Sequence, residues 1–215
     1  MQLYEEFRPK TFDELVGQEK VKAKVATLRK RGLAGRVFWL YGASGTGKTT
    51  AARLIAAEVA DDWAVIEIDA LDLGIDKVRE YERMCRIKPI SGDCHVFIVN
   101  EAHGLSQKVV SRLQTVLEQP EVQRNSLWIF TTTFRGQQKL FDSAMDAEPF
   151  ISRAVTLQFE HGENVVLDFA VRARVIAEEA GLNGQPLDRY VELVRSCRCN
   201  MRRVLQQIES GEMME

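Results

Sequence analysis

The sequence predicts an α/β domain on a parallel sheet followed by a small helical domain, and three observations carry that prediction. Apolar, strand-like runs alternate with helical stretches as far as Phe159, which is the pattern of βαβ units. The segment Gly42-Ala43-Ser44-Gly45-Thr46-Gly47-Lys48-Thr49 matches the phosphate-cradling pattern G-x-x-x-x-G-K-[ST] and lies between one such run and one such stretch. Beyond the polar break Glu160-His161-Gly162-Glu163-Asn164 no strand signal returns, and three amphipathic stretches follow.

Taken in order, the expected strands are Val37 to Tyr41, Trp63 to Ile68, His95 to Val99, Leu127 to Thr131 and Ala154 to Phe159. Each is a short apolar run of the kind buried on both faces of a parallel sheet. Thr50 to Ala60, rich in Ala, Leu and Ile without Gly or Pro, predicts the helix after the glycine-rich loop. Val109, Leu113, Val116 and Leu117 recur at helical spacing and mark a covering helix. After the break, Val165, Phe169, Ala173, Ile176 and Ala180 define a first apolar stripe. Leu187, Tyr190, Val191 and Val194 define a second, and Met201, Val204, Leu205 and Ile208 a third. Three helices with one stripe each bury those stripes against one another. The expected division is a base domain over residues 1–160 and a helical lid over 164–211.

Strand, glycine-rich loop and helix in that order give the motif its chemistry. Glycines let backbone N–H groups turn inward on phosphates at the positive end of the helix. Lys48 then reaches the β- and γ-phosphates and the Thr49 hydroxyl ligates Mg²⁺, so the expected ligands are ATP or ADP with Mg²⁺. A second signal is Val96-Phe97-Ile98-Val99-Asn100-Glu101, an apolar strand ending in two polar residues. P-loop enzymes keep the metal-site acid and the water-activating group at such a place. Glu101 is the general-base candidate and Asn100 the metal-site candidate. The following Ala102-His103 resembles a helicase box, but such helicases need a second large α/β domain.

Composition limits the other classes. With 45% hydrophobic and 28% charged residues, the chain is ordinary globular protein. No apolar run approaches the roughly 18 residues of a membrane span, and Met1 to Glu6 is no signal peptide, so a cytoplasmic location without membrane contact is expected. Cys85, Cys94, Cys197 and Cys199, with His95, His103 and His161, form no zinc-ligand spacing and read as reduced thiols and ordinary histidines. A net charge of −2 means that nucleic-acid affinity has to come from a local basic face.

These motifs together resemble the AAA+ ATPases of the clamp-loader family, the replication factor C small subunits and the bacterial gamma/tau subunit. The resemblance runs from about Tyr4 to Gly211. Tyr4, Phe7-Arg8-Pro9-Lys10-Thr11-Phe12 and Glu14-Leu15-Val16-Gly17-Gln18 are similar to the family's opening segment, which implies that Arg8, Pro9 and Val16 border the nucleotide. Gly74 to Arg79, Lys88-Pro89-Ile90, Glu101 to Ser106, Glu148-Pro149 and Ser152-Arg153 match later family segments. The resemblance implies an AAA+ P-loop fold with a three-helix lid and an ATPase that works beside other AAA+ subunits, as a homo- or hetero-oligomer.

Residue roles follow from the same resemblance. Gly42 to Thr49 and Thr50 hold the nucleotide, with Thr49 and Asn100 at the metal. Thr133, with Thr132 as the alternative, falls where a hydroxyl orients the attacking water. Arg153 is the finger that reaches a neighbour's γ-phosphate, and Arg202, or Arg203 beside it, couples the lid to the nucleotide. Lys77, Arg79, Arg83 and Arg86 lie on the segment that follows DNA phosphates in the relatives; Arg79, Arg83 and Arg86, spaced 4 and 3, share one face of an expected helix, while Glu80 and Glu82 leave open a salt-bridged solvent face. Any DNA contact is then to the backbone and independent of sequence.

Departures from the family accompany these matches. Asn100 stands where the family has Asp, so slow hydrolysis is expected. Ala154 replaces Cys, residues 134–147 are longer than the family's connection, and neither the bacterial zinc module nor the C-terminal collar is expected. Two functions remain open from sequence. One is an ATPase that drives assembly on DNA and acts on a sliding clamp, a helicase or another factor; the other is a nucleotide-gated structural subunit that barely hydrolyses.

Overall fold

A computed structural model describes residues 2–133 and 152–214. Five strands, β1 (Val37–Tyr41), β2 (Val65–Asp69), β3 (His95–Asn100), β4 (Ser126–Thr132) and β5 (Val155–Gln158), form one sheet in the order β2-β3-β4-β1-β5. Every neighbouring pair is parallel. Their side chains alternate between two buried faces, which is why the strands read as continuous apolar runs. Phe38, Leu40, Val96, Ile98, Leu127 and Ile129 pack beneath α2 (Glu19–Arg29) and α3 (Lys48–Ala57). Trp39, Phe97, Val99, Trp128 and Phe130 pack on the other face, against α4 (Ile75–Met84), α5 (Gln107–Leu117) and α6 (Pro120–Asn125). Within that second layer Phe97 lies 4.4 Å from Trp128 and 4.7 Å from Tyr81, ring centre to ring centre.

Several element ends differ from the sequence reading, two of them for a packing reason. The run from Trp63 is a 3₁₀ turn over Asp62–Ala64, because the edge strand β2 finds its first partner only at Val65, opposite Val96. Helix α3 stops at Ala57 and does not reach Ala60, and the Val59 carbonyl instead accepts from Asp93 N–H at 2.7 Å. Helix α4 ends at Met84, so Arg86 lies beyond it and only Arg79 and Arg83 share its helical face.

The C-terminal helices are α7 (Glu163–Glu179), α8 (Leu187–Ser196) and α9 (Met201–Glu209). Phe169, Ala173, Ile176, Tyr190, Val194, Val204 and Ile208 form their shared core, the three stripes read from the sequence. Leu3, on the short N-terminal helix α1 (Leu3–Glu6), is buried in the same cluster, and its N–H donates to Glu209 Oε1 at 3.2 Å. The break between the sheet and α7 is held by Gln18. Its fully buried amide donates to Glu160 O at 3.0 Å and accepts from Glu160 N at 2.9 Å, so both backbone groups of the turn are satisfied. Among the described residues no helix is long and apolar enough to cross a membrane. Cys85, Cys94, Cys197 and Cys199 are all free and buried, and burial pushes the thiols of Cys85 and Cys94 up to about 11 and about 12.

Candidate nucleotide site

The cleft lies beyond the carboxyl ends of the strands, where open α/β sheets place ligands. Its floor is the loop from β1 to α3. Gly42, Gly45 and Gly47 all have positive φ, which side-chain-bearing residues rarely adopt. At Gly45 a β-carbon would stand 2.0 Å from Asn200 Oδ1, so the glycine also makes room for the C-terminal helices. Met201 N–H donates to Gly45 O at 3.1 Å, joining the start of α9 directly to the loop. The Asn200 side chain caps α9 by accepting from Arg203 N–H at 3.2 Å.

Lys48 is 6% exposed and its ammonium donates to two backbone carbonyls, Gly42 O at 3.0 Å and Ala43 O at 2.7 Å. Burial lowers its pKa to about 8, with nearby Arg202 adding to the effect and Glu101 opposing it. A buried cation with no carboxylate bonded to it among the described residues fits an incoming phosphate. Ser44 to Thr50 line the cleft together with Arg8, Pro9, Val16, Glu101 and Arg202. Gly42 and Ala43 are not among the lining residues, and their carbonyls hold Lys48.

Beyond Thr49 the site is assembled from separate strands, with Glu101 lining the cleft and a hydrogen-bond network standing behind it. Asn100, the last residue of β3, accepts at Oδ1 from Thr131 Oγ1 at 3.0 Å and from Thr49 Oγ1 at 3.3 Å. Its Nδ2 donates to Glu67 Oε1 on β2 at 2.7 Å. Arg53 of α3 then grips Glu67 through both oxygens, at 2.7 and 3.1 Å. Glu101 follows Asn100 in a left-handed conformation, φ 51°, unusual for a residue with a side chain. That turn swings its carboxylate out of the strand direction and into the cleft, 3.4 Å from His103 Nδ1.

Other expected residues sit as follows. Thr133 comes directly after β4 and is half-buried, whereas Thr132 Oγ1 lies 3.4 Å from His103 Nδ1 and Thr131 is the strand threonine that reaches Asn100. Arg202 stacks on Tyr4, its guanidinium carbon 5.3 Å from the ring centre. Arg203 is exposed at the start of α9. Arg8 pairs with Glu5 at 2.6 Å. Arg153 lies outside the cleft, exposed and paired with Glu118. Lys77, Arg79, Arg83 and Arg86 are all exposed, and Arg79 pairs with Asp76 at 3.2 Å. Glu82 turns away from them to meet Arg112 and Gln119. The long connection 134–147 and the pair Glu148-Pro149 lie outside the described residues.

Sequence reading missed Glu67, Arg53, Thr131, Tyr4 and Gln18 as site or seam residues. Tyr4 and Gln18 stood in the opening segment without a role of their own, and Thr131 carried one signal, its position at the end of an expected strand.

Sheet order and phosphate loop define a P-loop nucleotide-binding protein. Residues 38–149 match the ATPase family associated with various cellular activities (AAA), and the chain belongs to that family. It is 28% identical to the DNA polymerase III subunit gamma/tau of Mycobacterium tuberculosis over 214 residues, covering 84% of this chain and 36% of the relative. It is also 28% identical to the replication factor C small subunit of Natronomonas pharaonis, covering 98% of this chain and 62% of the relative. The chain thus spans about a third to three fifths of these relatives. In fold it is similar to the Thermotoga maritima RuvB Holliday junction branch migration motor, with a TM-score of 0.69, 23% identity, and coverage of 94% of this chain and 64% of that one.

Proposed function

We propose that this chain binds ATP with Mg²⁺, hydrolyses it at a site completed by a neighbouring subunit, and uses the cycle to drive assembly on DNA in replication or a related DNA transaction. One observation carries the reading. Lys48, Thr49 and Glu101, positioned by two non-adjacent strands, line a single cleft that the C-terminal helices overhang with Arg202, and Asn100 bonds to Thr49 from behind.

In this reading the loop amides and Lys48 hold the β- and γ-phosphates, and the Thr49 hydroxyl and Asn100 amide oxygen, 3.3 Å apart, hold Mg²⁺ and its water. When bound, the cation supplies charge neutralisation at the phosphates. Glu101 accepts the proton of the attacking water, and a threonine at the end of β4 orients that water. Arg202, released from Tyr4, reaches the γ-phosphate and couples the lid to it. Arg153, which lies outside its own cleft, serves the neighbour's. Leu167, Val171 and Val175 form an exposed apolar stripe along α7, which supports packing against another subunit. The exposed cations of α4 and Arg86 then follow DNA phosphates. The second reading, a nucleotide-gated subunit with little hydrolysis, is favoured by the uncharged Asn100.

Mixing inactive chains separates these readings. Arg153→Ala retains a site and Lys48→Ala retains a finger, so each is expected to be inactive alone and to recover partial ATPase activity when co-assembled. Full wild-type activity independent of protein concentration would place the chemistry within one subunit. No activity in any concentrated, DNA-bound assembly would favour the gated subunit.

A further inference from the structure

The metal side of the cleft has an unusual donor set, a neutral amide where a carboxylate would bring charge, and the structure shows what stands behind it. Asn100 makes hydrogen bonds at both ends of its amide: Oδ1 with Thr131 and Thr49 hydroxyls, and Nδ2 with Glu67 at 2.7 Å. A threonine hydroxyl donates or accepts, so the two threonines alone are indifferent to which way the amide faces. Glu67 is not. A carboxylate only accepts, and a reversed amide would set two oxygens against each other at hydrogen-bond distance. Glu67 therefore fixes Asn100 with its oxygen toward Thr49, the orientation a cation needs. Arg53 holds the carboxylate from the outer side, so the negative end of the ion pair faces Asn100.

We infer that Glu67 is a positioning residue of the Mg²⁺ site, aiming the Asn100 oxygen at Thr49 and lending, through the amide, the negative charge that Asn100 lacks. This rests on the nucleotide-binding reading above. It also accounts for an amide at this position: with Glu67 already in place, a second carboxylate on β3 would face the first across 2.7 Å. The charge of the site has moved one strand outward, from β3 to the edge strand β2.

The test is the affinity for a fluorescent ATP analogue, measured with Mg²⁺ and with excess chelator, so that the gain due to the cation is separated from binding itself. Thermal unfolding checks that each variant folds. Removing a group behind a metal ligand typically costs about 10- to 100-fold in metal affinity. Glu67→Ala is therefore expected to cut the Mg²⁺-dependent gain about tenfold and to leave chelator-phase affinity within about twofold. Glu67→Gln, whose own amide still pairs with Asn100, is expected to lose a smaller part, roughly threefold. The double variant Glu67→Gln/Asn100→Asp returns the carboxylate to β3 and is expected to recover the wild-type gain. The inference is overturned if Glu67→Ala keeps the full gain, if it loses affinity equally in both phases as a merely structural residue would, or if the double variant shows no recovery. Absence of analogue binding by the wild-type chain in either phase would instead remove the nucleotide reading, and this inference with it.

Discussion

The two walls of the cleft are built in opposite ways. The phosphate wall is one contiguous segment, Gly42 to Thr50, whose glycines, lysine and helix start are neighbours in sequence. The proposed metal and water wall is a mosaic in which Glu101 from β3 lines the cleft and is backed by Asn100 of the same strand, Glu67 from β2, Thr131 from β4 and Arg53 from α3. A contiguous wall concentrates its function in one side chain. An assembled wall spreads it over a hydrogen-bond network whose members partly cover for one another.

The sharpest way to break this comparison is Lys48→Ala. Truncating one partner of a buried charge pair costs about 2–5 kcal/mol, so ATP affinity should fall on the order of 100-fold, measured by calorimetry. Retained affinity would show that the contiguous wall is no more concentrated than the other.

A pH titration probes the same wall with a smaller effect. Burial holds the Lys48 pKa at about 8 in the empty cleft, and a phosphate raises it by favouring the ammonium. The sign follows: below about 8 the lysine is already charged and affinity is flat. Above it, binding must take up a proton and affinity falls, by up to about tenfold per pH unit. Calorimetry in buffers of differing ionisation enthalpy should register the proton uptake, and an affinity that rises above pH 8 would contradict it.

On the assembled wall, Thr131→Val removes one donor to Asn100 and leaves Thr49 and Glu67 in place. A net hydrogen bond contributes about 0.5–1.5 kcal/mol, so turnover should drop by roughly 3- to 10-fold while ATP affinity stays within about twofold. A loss as large as that of Lys48→Ala would erase the distinction between the walls.

The alternation of apolar runs and helical periods determined the parallel sheet, because a strand buried on both faces and a helix with one apolar stripe each leave their period in the sequence. The motif Gly42 to Thr49 determined the phosphate wall for a related reason: its parts are local, so their spacing is their geometry. Two polar residues ending an apolar strand marked Asn100 and Glu101 at the end of β3, where the proposed site lies. What the fold alone decided were the contacts between residues distant in sequence. Glu67 sits 33 residues before Asn100, and only the β2–β3 pairing brings them together. The same holds for Met201 on Gly45, for Gln18 on Glu160, and for Leu3 in the core of the C-terminal helices. Helix ends also belonged to the tertiary structure: α3 gives up its last residues because the Val59 carbonyl finds Asp93, and α4 stops before Arg86. Periodicity records which face of an element is buried. It carries no record of what that face is buried against, and a neutral Asn100 gains its orientation from a carboxylate that only strand pairing supplies.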